Sequence, residues 1–297
     1  MRWRAQGGLV LAALFFGVTF PLVHDSLQDI EPFAYVTLRF VTAVVVLSPF
    51  ALRIARRDGT DIRALLRVGL IAGVLLAGGY ATQTIGLKTA TPSASAFITG
   101  LYVVITPVIE SVVRRVTLQW PVWAGAGVAT VGLFLLTGAD LSGFGAGELW
   151  TLACAVLFAI WIVYQGGQAN RFHPVPFITV QMVVVAAVCA PATAVQGVGH
   201  LTELAWTSVL FTGIACSAFA LSLQLWSQRR ISPSRAALIL LSEPVFAGIA
   251  GYVNGERLTA IELFGAAVIL VGITLAEVGS LRRSRAQRLQ AELGAVR

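Results

Sequence analysis

The sequence predicts an all-α integral membrane protein of ten transmembrane helices, arranged as two inverted five-helix repeats with cytoplasmic N- and C-termini. Three observations predict it. The chain is 57% hydrophobic and only 12% charged, against about 25% charged residues in a soluble domain. Its Lys and Arg residues collect on one side of successive apolar runs. Residues of the second half repeat those of the first at a nearly constant offset.

A span needs about 20 largely apolar residues. Turn and charge signals divide the chain into ten candidates, at 7–23, 33–51, 66–86, 93–112, 120–137, 148–165, 175–196, 205–227, 234–253 and 259–279. Helices satisfy their own backbone polar groups in lipid. Barrel strands would alternate apolar and polar residues, and the runs at 41–47 and 183–188 do not. Residues 1–23 begin with Arg2 and Arg4 ahead of an apolar run, as a signal peptide does. No clear A-x-A-like site precedes His24, so the run is read as a retained first span. The spans divide the chain into a first repeat at 1–138, a second at 139–280 and a basic cytoplasmic tail at 281–297. The tail is expected to be an amphipathic or disordered surface segment.

Eighteen of the 21 Lys and Arg residues fall on the side of the termini. They include Arg53, Arg56, Arg57, Arg63 and Arg67, then Arg114 and Arg115, Arg171, Arg229, Arg230 and Arg235. Lys88 and Arg257 fall on the other side, and Arg39 lies within the second span. A single miscounted span in mid-chain would destroy this skew, which gives cytoplasmic termini. Tryptophans mark span ends, as in an aromatic belt; Trp161 alone lies well inside a span. The net charge of +7 sits in short clusters beside apolar runs, where it meets anionic headgroups and not nucleic acid. Localisation is expected in the cell membrane, multi-pass. Cys154, Cys189 and Cys216 lie in apolar runs and fit no metal or disulfide spacing. Nothing in the chain matches a P-loop, an H-E-x-x-H or a G-x-S-x-G motif.

The internal repeat is visible residue by residue. At an offset of 141, Gln83 meets Gln224, Lys88 meets Arg229, Pro92 meets Pro233 and Ser93 meets Ser234. At 140, Gly125 and Gly132 meet Gly265 and Gly272, and at 144 Pro32-Phe33 meets Pro176-Phe177. Five spans per repeat is an odd number, so the halves must have opposite orientation. Inverted repeats recur in secondary transporters, with the substrate at the repeat interface near the midplane.

The sequence resembles the EamA-type transporters of the drug/metabolite transporter superfamily. The resemblance is carried by Gly17, by Arg39-Phe40, by ATPSASAFITGLYVVITPV at 90–108 and by LLSEPVFAGIAGYVNGERLTAIELFGAAVILVGITL at 240–275. It implies ten helices, alternating access, export of small metabolites such as amino acids, or of drugs, and no bound cofactor. Glu243 and the Gly-Glu-Arg-Leu loop at 255–258 have no counterpart in the first half.

Glu243, beside Pro244 in an apolar run, is the sharpest candidate for a functional residue. An ionised carboxylate in hydrocarbon is costly, so it faces a cavity or a partner; it binds substrate or a coupling proton, or it is a hydrogen-bonded glutamate at a kink. Arg39 either holds an anionic group or serves a structural pair. His24 is a pH-sensitive gate or a solvated loop histidine. Ser95, Thr99, Tyr102 and Thr106 share one helical face. Gln83, Gln224, Thr99 and Tyr102 are cavity-lining candidates, with Tyr80 and Trp161 as aromatic walls; packing is the competing reading for each. Pro107 and Pro244 are candidate hinges. The function expected is secondary transport of a small organic solute, with proton coupling as an option, by a monomer or homodimer. An intramembrane enzyme, a lipid-handling protein and a membrane scaffold are the alternatives.

Overall fold

The computed structural model describes residues 2–18, 20–86, 89–90, 92–138, 145–253, 255 and 257–294. The described chain is almost wholly helical. Its elements are α1 (Arg2–Val18), α2 (Phe20–Ser26), α3 (Pro32–Arg57), α4 (Ile62–Gly86), α5 (Pro92–Gly100) and α6 (Tyr102–Arg114). There follow α7 (Trp120–Thr137), α8 (Ala146–Gln168), α9 (Pro174–Gln196), α10 (Glu203–Thr212), a π-helical stretch (Gly213–Ala220) and α11 (Leu221–Gln228). The last are α12 (Pro233–Leu240), α13 (Glu243–Val253) and α14 (Ala260–Gly294). Prolines open α3, α7, α9 and α12, where a missing N–H costs nothing.

Among the described residues, nine helical segments are long and apolar enough to cross a bilayer, and a shorter apolar helix, Trp3–Val18, precedes them. Large apolar side chains stay exposed along these helices, including Leu66, Leu70, Val74, Phe211 and Phe264. In water such a surface would be an aggregation liability; in lipid it is the solvated face. Trp3, Trp120, Trp123, Trp150 and Trp206 are exposed while Trp161 is buried. The tail is helical as far as Gly294.

Three expected spans are not continuous α-helices. The fourth breaks at Leu101, between α5 and α6, and the ninth at residues 241–242, between α12 and α13. The eighth widens into the π-helical stretch. Pro244 explains the second break: its ring lacks the N–H that would satisfy the Leu240 carbonyl. Pro107 stands inside α6, beyond its break, which follows Gly100. The two interrupted helices begin at the matched prolines Pro92 and Pro233, and their breaks meet. A Cβ placed on Gly100 would lie 3.5 Å from Leu241 Cδ1.

The contact of α7 with α14 is built on glycine. A Cβ on Gly125 would lie 2.6 Å from the Gly272 carbonyl oxygen, and one on Gly132 would lie 2.7 Å from that of Gly265. Backbones can approach so closely only without side chains. Because 125 faces 272 and 132 faces 265, the two helices run antiparallel.

Candidate functional site

The middle of the bundle collects four groups from four helices: Arg39 of α3, Tyr80 of α4, Tyr102 of α6 and Glu243 of α13. Arg39 is the cation whose field reaches Glu243, Tyr80 stands within reach of Arg39 and Tyr102 within reach of Glu243. All four are half-buried. They keep some accessible surface although they stand among packed helices.

Glu243 is the first residue of α13, where the helix dipole favours a negative charge. Gly17 brings α1 against that point: a Cβ there would lie 2.5 Å from the Glu243 carbonyl oxygen and 2.7 Å from Phe246 Cβ. The glycine is therefore required by the approach of α1 to the start of α13. Arg39 Nε donates to Ser217 Oγ at 2.8 Å, and Ser217 belongs to the π-helical stretch. The Arg39 guanidinium also sits 5.8 Å from the ring centroids of both Phe40 and Tyr80, a cation–π arrangement. Among the described residues no carboxylate lies within ion-pairing distance of it.

Aromatic rings extend the site. Tyr80 packs edge-on against Phe40 and Phe158, at 5.0 and 5.6 Å between centroids, and Phe158 continues to Trp161 at 6.4 Å. The Trp161 indole donates to Gln181 Oε1 at 2.7 Å; it is buried and anchored, and supports the wall from behind. Gln83 is half-buried one turn beyond Tyr80. Thr99 and Thr82 hydroxyls stand at the Cys154 thiol. Thr106 is buried and donates to the Tyr102 carbonyl at 2.6 Å. The break at Leu101, a residue with right-handed helical dihedrals, stands between Ser95 and Thr99 on α5 and Tyr102 and Thr106 on α6. Gln224 is buried and its Nε2 has no hydrogen-bond partner among the described residues. The side chain of His24, and Lys88, Asp140 and Glu256, lie outside the described residues.

The end of the bundle that carries the termini is sealed by polar contacts that sequence reasoning missed. Glu110, buried near the end of α6, accepts from the backbone N–H of Ser234 at 2.8 Å and from the Ser234 hydroxyl. It also pairs with Arg114 at 3.0 Å. Arg235 donates through Nε to Glu277 Oε1 at 2.7 Å and pairs with Glu277 through Nη2; Gln6 reaches the same carboxylate. These contacts tie α1, α6, α12 and α14 together. The only signal in the sequence was Glu110 near the end of an expected span, four residues before Arg114. Behind the seal, Gln165 leaves both amide atoms and Gln228 its Oε1 unpaired among the described residues, as Gln224 does its Nε2. At the opposite end α5 and α13 do not pack on one another, among the described residues, as α6 and α12 do.

A multi-pass helical bundle with a polar, charged interior at broken helices is the architecture of a membrane transporter. The chain belongs to the EamA-like transporter family, whose model matches residues 4–138 and again 145–277. It is 32% identical over 276 residues to an uncharacterized transporter of Archaeoglobus fulgidus, covering 92% of this chain and 86% of that one. It is 25% identical over 287 residues to a WAT1-related chloroplastic protein of Arabidopsis thaliana, covering 90% of this chain and 68% of the relative. One solved crystal structure has the same fold, with a TM-score of 0.78 at 20% identity, covering 92% of this chain and 96% of the other. The protein is thus a multi-pass transporter of the cell membrane, and not an enzyme.

Proposed function

We propose that the protein is a secondary active transporter that exports small organic solutes carrying both charge signs, amino-acid-like metabolites first, by alternating access. The observation that supports this most is the placement of Arg39 and Glu243 within electrostatic reach of each other, half-buried and without a direct ion pair among the described residues. A solute bearing a carboxylate and an amine would complete both. Tyr80, Tyr102 and Phe158 would flank its apolar part, with Gln83 and Thr99 as further polar contacts. Glu243 is also the group best placed to carry a coupling proton, since an intramembrane acid with one distant cation exchanges a proton for a bound amine.

In this reading the chain forms two inverted repeats, 1–138 and 139–280, with ten spans, cytoplasmic termini and a tail at 281–297. In the same reading the arrangement is outward-open. The seal of Glu110, Ser234, Arg235 and Glu277 closes the cytoplasmic side, and α5 and α13 stand apart on the other. The amide of Gln165, the Gln224 Nε2 and the Gln228 Oε1, without hydrogen-bond partners among the described residues, are then polar atoms that the inward-open state would wet.

The test is uptake into proteoliposomes, screened across amino acids, sugars, nucleotides and cationic drugs, with and without a pH gradient. Transport of zwitterions that is lost in Glu243→Gln and in Arg39→Gln supports the reading. Wild-type transport and unchanged pH dependence in Glu243→Gln would overturn the assignment of the site.

A further inference from the structure

A polar concavity lies apart from the central site, on the outside of the bundle. It has a volume of about 430 Å³ and lies between the first turns of α4 and the end of α8. Arg63, Arg67 and Arg171 line it together with Tyr164, Gln168 and Ile71. Among the described residues none of the three arginines is in an ion pair. The two nearest acids in sequence are engaged elsewhere: Asp58 pairs with Arg57 at 2.8 Å, and the Asp61 carboxylate accepts the Ala64 N–H at 3.1 Å.

This placement of charge is unfavourable for the protein alone. Arg63 and Arg67 are four residues apart on one helix face, where like charges repel. Arg63 also sits in the first turn of α4, where the helix dipole is positive and disfavours cations. An anion between them would relieve both penalties. The same face continues as Ile71 and Val74, both exposed to the surroundings. Charge at one end and a lipid-facing apolar strip at the other match an amphiphile with an anionic head and hydrocarbon tails, and basic pockets of this kind between membrane helices bind such headgroups.

We propose that Arg63, Arg67 and Arg171 form a binding site for one anionic phospholipid. The phosphodiester lies among the three guanidinium groups, with Tyr164 and Gln168 as further hydrogen-bond donors, and an acyl chain runs along Ile71 and Val74. Arginine suits a phosphodiester because its planar fork binds two oxygens at once.

The experiment is native mass spectrometry of the full-length protein released from nanodiscs of phosphatidylcholine containing a titrated fraction of phosphatidylglycerol. The wild type retains one phosphatidylglycerol preferentially. Each arginine replaced by glutamine weakens retention roughly fivefold, since a basic residue near a membrane surface contributes about 1 kcal/mol. The triple variant R63Q/R67Q/R171Q loses the preference. The control R53Q/R56Q/R115Q removes the same charge elsewhere and keeps it. Equal retention by the triple variant and the wild type would overturn the site. So would displacement of phosphatidylglycerol by equimolar inorganic phosphate, which would make it a free-anion site, or equal retention of phosphatidylcholine.

Discussion

Glu110 caps α12 from another helix: its carboxylate takes both the backbone N–H and the hydroxyl of Ser234. A helix N-terminus leaves its first N–H groups without partners, and a buried one must find them elsewhere. The end of α6 supplies one across the bundle, so separating α6 from α12 exposes an orphan donor and an unpaired buried acid together.

Replacing that acid should therefore loosen this end of the molecule. Glu110→Ala is expected to lower stability by roughly 1.5–3 kcal/mol, the range for hydrogen bonds to a charged group. It should also raise the labelling rate of a cysteine placed at Ser227, which is fully buried. Thermal unfolding in detergent and labelling by a membrane-impermeant thiol reagent measure the two effects. An unchanged labelling rate with lowered stability would show that Glu110 holds the fold but not the closed state.

The unpaired amide of Gln165 gives a prediction of opposite sign. Gln165→Leu removes a buried polar group without partners, and should stabilise the protein by about 1 kcal/mol or more. If the amide is wetted during transport, the same variant transports more slowly. Melting temperature and proteoliposome flux, measured together, test this; faster transport in the stabilised variant would refute it.

Gly17→Ala places a Cβ 2.5 Å from the Glu243 carbonyl oxygen, closer than real contacts allow. The α1–α13 crossing must open, at a cost of roughly 1–3 kcal/mol for overpacking. Because the displaced backbone belongs to Glu243, substrate affinity should fall as well. A binding isotherm on the variant separates the two consequences.

His173 makes stability depend on pH. It caps α9, its Nδ1 accepting the Val175 N–H at 3.3 Å, and only an unprotonated Nδ1 can accept. Burial holds its pKa below the ordinary histidine value. A lowered folded-state pKa means that the contribution is complete above the unfolded value, about 6.5. It is lost as pH falls through the lower, folded value. The pH-dependent part should be about 1 kcal/mol, typical of an N-cap, and His173→Asn, which caps without titrating, should remove it. Unfolding midpoints between pH 5 and 8 in detergent provide the check.

The membrane character and the helical content were legible in composition, because a chain with so little charge has no way to cover a water-facing surface. The expected spans from 33, 175 and 234 begin one residue after Pro32, Pro174 and Pro233, where α3, α9 and α12 start and where proline suits a first turn. The break at Leu101 was not, since Pro107 was the visible signal and stands six residues beyond it. Nor was the π-helical stretch, whose sequence is as apolar and small as its neighbours. Within the candidate site, Arg39 and Glu243 stood out because charges are rare in spans. Their neighbourhood did not, because it depends on which faces of α3, α4, α6 and α13 turn inward. Glu110 and Glu277 were overlooked because each lies near a span end, where an acid looks like a solvated loop residue until its partner, Ser234 or Arg235, is known.

The broken fourth and ninth helices start at prolines 141 residues apart, and their interruptions touch. The position 141 residues beyond Glu110 is Gly251, which has no side chain to reciprocate the latch on Ser234. The acid that joins α6 to α12 thus has no equivalent at the matched position, and a substitution at 110 removes this tie without touching the prolines that open the two broken helices.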